Sequence, residues 1–336
     1  MDKTEYQLRR RKMKTVKRMT LVPLMALAIL VPLSAYAEEG GSGHYIPGGM
    51  ASFFDTLPGK PGLAVANYFN FYNGSASGSQ QLPTGGLVSV DVDATAYADI
   101  IVALYQTRLK LLGGYYGVGV MLPWVWTTVK ADVQLTGPLG FTVGTDVSDT
   151  ANSIGDIMFY PFMLGWTGLK GDLKYDFRLG IYAPTGRYDK GHLANVGKNY
   201  WTFEPMVTLS YISSKIGLEL TGFAGIDFNT ENYATDYQTG TQFHLDITAA
   251  EHLPLLGGII GVGANVFYYQ QLNGDSGNGA LLGDFRGRTV GIGPVLSYTT
   301  KIWKKDFAAE VKWLPELDVK NRLKGDIVWF KLGMGF

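Results

Sequence analysis

Apolar and polar side chains take turns along most of this chain. Between Asp172 and Tyr182, Leu173, Tyr175, Phe177, Leu179 and Ile181 fall on one face of an extended strand, and Asp172, Lys174, Asp176, Arg178 and Tyr182 on the other. From 218 to 229, Leu218, Leu220, Ala224, Ile226 and Phe228 oppose Glu219, Thr221, Asp227 and Asn229. From 242 to 248, Phe243, Leu245 and Ile247 oppose Gln242, His244, Asp246 and Thr248. Further combs lie at 260–268, 307–313 and 328–336.

A soluble sandwich also alternates, but three features favour a membrane barrel. Charges stand in mid-strand, where a dry core would not tolerate them unpaired and a wet lumen does. Trp124, Trp126, Trp201, Tyr211 and Trp313 lie near strand ends, as an interfacial girdle requires. The chain ends in Phe336, with Met334, Leu332 and Phe330 on the same face, the pattern that outer-membrane barrels present to their assembly machinery.

The combs predict an all-β fold: a transmembrane antiparallel up-and-down β-barrel. Strands are expected near 62–73, 98–110, 114–126, 155–166, 171–183, 200–212, 217–229, 240–251, 258–271, 288–299, 305–314 and 326–336. That is about twelve, an even number as single-chain bacterial barrels require. Turns are expected at Asn73-Gly74, Gly113-Gly114, Gly257-Gly258 and Asn273-Gly274-Asp275. The polar stretches 74–97, 127–154, 184–199, 230–239 and 272–287 read as long extracellular loops.

The start of the chain sets the compartment. Arg9, Arg10, Arg11, Lys12, Lys14, Lys17 and Arg18 precede an apolar run from Leu21 to Leu33, and Ala35-Tyr36-Ala37 fits a signal-peptidase site. Residues 1–37 therefore read as a signal peptide cleaved after Ala37, and 61–336 as a barrel in the outer-membrane lipid. Residues 38–60 show no strand pattern and are expected to fold into the lumen as a plug, with a periplasmic segment as the alternative. The chain has no cysteine, which excludes disulfides and thiolate metal sites. With 29 basic and 29 acidic residues it offers no field for nucleic acid.

Several short motifs, weak singly, keep a common order: Gly43-His44-Tyr45-Ile46-Pro47-Gly48, Gly155-Asp156-Ile157 with Pro161, Ala183-Pro184-Thr185-Gly186-Arg187-Tyr188, and Asn195-Val196-Gly197-Lys198-Asn199-Tyr200-Trp201 with Pro205. Gln271-Leu272-Asn273-Gly274-Asp275-Ser276-Gly277, Gly293-Pro294, and Asn321-Arg322 before Gly325 complete the set. Together they resemble the outer-membrane proteins grouped under the meta-pathway of phenol degradation. The resemblance implies a barrel associated with catabolism of aromatic compounds and proposed to admit hydrophobic substrates. It carries no settled set of functional residues.

Nothing in the motifs points to a cofactor or metal: His44, His192, His244 and His252 show no ligand spacing. His244 beside Asp246 and Gln242 reads as a lumen hydrogen-bond network, with a catalytic His–Asp pair as the alternative. Glycines 117, 119, 261, 263, 291 and 293 alternate on strand faces where something could pack closely. The mixed lumen charges (Asp172, Lys174, Asp176, Arg178, Glu219 and Asp246) predict pairing across the interior rather than an ion-selective ring. The favoured function is a channel for passive uptake of small hydrophobic or aromatic compounds. Its expected path runs along His44, Tyr45, Tyr182, Phe223, His244, Phe267, Tyr269 and Gln271. An outer-membrane hydrolase and a non-transporting surface barrel are the alternatives.

Overall fold

The computed structural model describes residues 39–84, 87–136, 142–282 and 286–336. The expected signal peptide lies outside the described residues. The strands are β1 (Gly62–Thr84), β2 (Leu87–Leu111), β3 (Gly114–Thr136), β4 (Thr142–Ile154), β5 (Ile157–Gly168), β6 (Leu173–Ala183) and β7 (Thr202–Ile212). They continue with β8 (Leu218–Asn229), β9 (Gln242–Leu255), β10 (Gly258–Gln271), β11 (Arg288–Ile302), β12 (Lys305–Lys320) and β13 (Lys324–Gly335).

Every pairing is antiparallel, and β1 closes the ring on β13 from Ala64↔Gly335 to Ser75↔Lys324. β4 and β5 occupy one position, because β3 pairs with β5 through Tyr115–Met121 and with β4 through Trp124–Thr136. The barrel is therefore closed and twelve-stranded. Closure pairs the backbone groups that an open edge would leave bare in lipid. Among the described residues no helix is long and apolar enough to cross a membrane.

Alternation sorts the side chains as the sequence predicts. Ile101, Val207, Leu209, Val262, Leu296 and Trp313 are exposed on the outer face. Such a continuous apolar exterior suits lipid and not water. Arg178, Lys312 and Lys331 point inward and are fully buried.

Two expected loops proved to be strand. Much of 74–97 extends β1 and β2, and much of 127–154 forms the β3–β4 hairpin. These stretches mix Ser, Thr, Asp, Ala and Val, so they lack the apolar comb that marks a lipid-facing strand, but their ladders still close. Asn73-Gly74 accordingly lies within β1 rather than in a turn. The short turns fall at Leu112-Gly113 and Leu256-Gly257, one residue before the expected glycine pairs, with positive φ at both positions as tight hairpins require. Segments 184–201, 230–241, 272–282 and 286–287 lie outside the named strands, at the opposite end.

Candidate functional site

Residues 39–61 thread the lumen from the loop end to the turn end. At the loop end, Glu39 accepts hydrogen bonds from Tyr188 (3.0 Å) and Asn232 (2.9 Å). At the turn end the segment enters β1 at Gly62. The lumen charges hold it in between. Lys331 Nζ donates to Asp55 Oδ1 at 2.8 Å and to the Gly49 carbonyl at 2.7 Å. Lys312 Nζ donates to the Gly48 carbonyl at 2.6 Å, and Trp329 Nε1 to that of Pro47 at 2.9 Å. Arg178 forms a bidentate pair with Asp176 and also donates to the Asp55 carbonyl at 2.8 Å. Glu219 accepts the Phe53 amide at 2.7 Å and contacts His252 Nε2 at 2.7 Å, while Ser52 binds Glu310.

Removing one partner of such a buried pair costs about 3–5 kcal/mol, because the other charge is left bare. Strand glycines give the segment room. A Cβ on Gly333 would stand 2.8 Å from the Phe54 ring, and one on Gly165 would stand 2.9 Å from Leu57 Cδ1.

Four of the sequence motifs meet at Asp156, in the break between β4 and β5. Its carboxylate accepts the amides of Gly186 (2.8 Å) and Lys198 (2.6 Å) and contacts His44 Nε2 at 2.9 Å. Gly155, Gly186 and Gly197 crowd there: a Cβ on Gly186 would lie 2.7 Å from Gly197 Cα. Burial works to raise the Asp156 pKa, but hydrogen bonding and charge from His44, with the Lys198 and Gly186 amides, hold it below the ordinary value. His44 also contacts Thr202 Oγ1 at 2.7 Å and stacks on Tyr182 at 4.6 Å between ring centroids.

Tyr45 follows the same logic. Its ring stacks on His244 at 4.1 Å, and its hydroxyl donates to Asp246 at 2.8 Å. Asp246 also accepts the Gly48 amide at 2.8 Å. His244 and Asp246 therefore both serve the N-terminal segment. His244 Nε2 lies near Glu204 and Asp227, not Asp246.

The segment packs mainly against β5–β13 and leaves a cavity of about 330 Å³ along β1–β3. Its wall is largely apolar, with Tyr72, Ala96, Ala98, Ile100, Met121 and Val125 facing Tyr45, Ile46 and Met50. A second cavity, about 770 Å³, opens at the turn end beside Phe53, Phe54, Val102 and Leu104. Tyr68 lines both cavities. Its hydroxyl donates to Asp55 at 2.9 Å and its ring carries Lys331 Nζ at 4.6 Å, which fixes it between the two.

Of the expected path, His44, Tyr45, Tyr182 and His244 line the loop-end cavity. The other four pack elsewhere. Phe223 lies under Arg178, Phe267 covers Gly291, Tyr269 carries the Arg322 guanidinium at 4.2 Å, and Gln271 ties Gly287 and Asp275 in the 272–287 loop. Among the expected lumen charges, Asp176, Arg178, Glu219 and Asp246 are buried. Lys174 borders the turn-end cavity, and Asp172 sits in the turn before β6. Sequence reasoning missed Tyr68 and the small-residue wall of Ala94, Ala96 and Ala98. Their alternation was the available signal.

The crystal structure of the COG4313 outer membrane channel from Pseudomonas putida F1 shares 13% identity with this chain at a TM-score of 0.57, covering 87% of this chain and 100% of that one. At that identity the likeness establishes the fold. The beta domain of the Bordetella autotransporter Brka matches more distantly, with 13% identity, a TM-score of 0.44, and coverage of 82% of this chain and 99% of that chain. No curated protein matches the sequence. The family described as "Putative MetA-pathway of phenol degradation" matches residues 74–332, and the chain belongs to that family.

Proposed function

We propose that the protein is an outer-membrane channel for passive uptake of small hydrophobic or aromatic compounds. The observation that carries this reading is the pair of cavities meeting at Tyr68, the loop-end one walled by apolar side chains. A small aromatic solute would leave water for that wall, pass Tyr68 and Phe54, and reach the turn-end cavity. Charged side chains such as Glu204, Asp246 and Arg322 border the same cavity, but apolar surface makes up most of its wall, and a neutral aromatic solute would lie against that surface. The family description, which names phenol degradation, agrees with such a solute. The exposed C-terminal Phe336, paired with Leu63 across the β1–β13 seam, supports recognition by the barrel assembly machinery.

The ion pairs across the lumen favour a second reading, a barrel that stays shut and serves a structural role. Proteoliposomes separate the two. Loading of a small uncharged aromatic such as phenol or toluene is expected to be faster with the protein than in protein-free vesicles, and faster again with Tyr68→Ala. Equal rates in all three would overturn the channel reading.

A further inference from the structure

Glu204 on β7, Asp227 on β8 and His244 on β9 converge on the lumen side of three adjacent strands. Their exposures are 3%, 0% and 2%. One donor atom from each lies within 4.8 Å of the others. Gly225 makes this possible, because any Cβ there would strike the His244 imidazole, which crosses β8 toward Glu204.

His244 Nε2 stands 2.8 Å from Glu204 Oε1 and 3.6 Å from Asp227 Oδ1. Both contacts are poorly aligned for a ring N–H, so neither Asp227 oxygen has a well-directed donor. Leaving a fully buried carboxylate bare is expensive. An imidazolium would balance one of the two carboxylates, whereas a divalent cation balances both. Donor atoms around a tetrahedral zinc, with bonds of about 2.0–2.1 Å, lie about 3.3 Å apart, between the two separations found here.

The geometry points to a site for a divalent first-row metal, Zn²⁺ in the first instance, held by His244 Nε2 and the carboxylates of Glu204 and Asp227. One nitrogen and two oxygen donors suit such an ion, whereas Ca²⁺ and Mg²⁺ take oxygen shells. Glu204 and His244 both line the loop-end cavity, so a fourth position is left open on that side. Bound metal fixes the ring on which Tyr45 stacks and so tightens the N-terminal segment. The site escapes motif searching because its ligands come from three strands.

The test uses the mature barrel in detergent, purified without a polyhistidine tag, stripped with chelator and titrated with Zn²⁺ alone. One equivalent is expected to bind. His244→Ala and Asp227→Asn should each weaken binding by at least the roughly 10–100-fold that loss of an outer partner costs. His252→Ala, outside the cluster, should bind as the parent does. No uptake by the parent, or equal affinity in all four proteins, overturns the site. Should either variant fail to fold by heat-modifiable migration, X-ray absorption of the Co²⁺-loaded parent decides. An imidazole in the inner shell is expected, and an all-oxygen shell overturns the site.

Discussion

Lys331 on the last strand reaches Asp55 of the N-terminal segment at 2.8 Å, with both side chains fully buried. The N-terminal segment is thereby tied to β13 inside the barrel. Lys331→Met leaves Asp55 buried without this partner and is expected to cost about 3–5 kcal/mol in detergent-phase unfolding. Lys331→Met combined with Asp55→Asn should recover part of that loss. A single variant within 1 kcal/mol of the parent, roughly the value of an exposed pair, would place this contact in water.

Tyr68 lines both cavities, and Asp55 fixes its ring through the hydroxyl; on the channel reading it is the gate between them. Tyr68→Phe keeps the ring and loses one hydrogen bond, a change of about 1 kcal/mol, so single-channel conductance should stay near the parent value. Tyr68→Ala should raise conductance several-fold. Equal conductance for Ala and Phe variants would remove Tyr68 from the path.

Gly333 faces Phe54 with no room for a side chain. Gly333→Val is expected to displace Phe54 and to cost about 1–3 kcal/mol, the usual penalty of overpacking. Limited proteolysis from the outer face should then cut residues 39–60 faster than in the parent. An unchanged cleavage rate would show that Phe54 does not rest on β13.

Asp156 has a pKa held below its ordinary value, so the stability it contributes is complete above about pH 3.9 and is lost as pH falls through the lower folded value. Protection of the N-terminal segment should therefore be constant from pH 7 to about pH 5 and fail only in stronger acid, below about pH 4. Asp156→Asn should remove that acid transition. A loss of protection centred near pH 6 would assign the contact to another group.

The barrel was legible wherever one strand face is apolar and the other polar. The combs at 172–182, 218–229 and 242–248 gave strand, inward face and register together, because a slip of one residue would turn Arg178 or Asp246 into lipid. The β1–β4 extensions were not legible. Ser, Thr, Asp, Ala and Val mix along them without an apolar comb, so 74–97 and 127–154 read as loop. The apolar cavity wall was lost with them, since Ala94 and Ala96 lie in that stretch. Packing of 38–60 in the lumen was expected from the lack of any strand pattern and because a barrel often needs a plug to fill or gate its interior. Which residue met which could not be read, because Lys331 and Asp55 are joined only by closure of the ring.

The most direct test of the account is whether residues 39–60 occupy the lumen. A Cβ on Gly165 would lie 3.6 Å from Leu57 Cβ, within the roughly 3.5–4.5 Å of a disulfide, and the chain has no cysteine of its own. Leu57→Cys with Gly165→Cys should therefore oxidise nearly completely in the folded barrel, read by thiol labelling after denaturation. Two free thiols in a barrel that still shows heat-modifiable migration would contradict the docked segment.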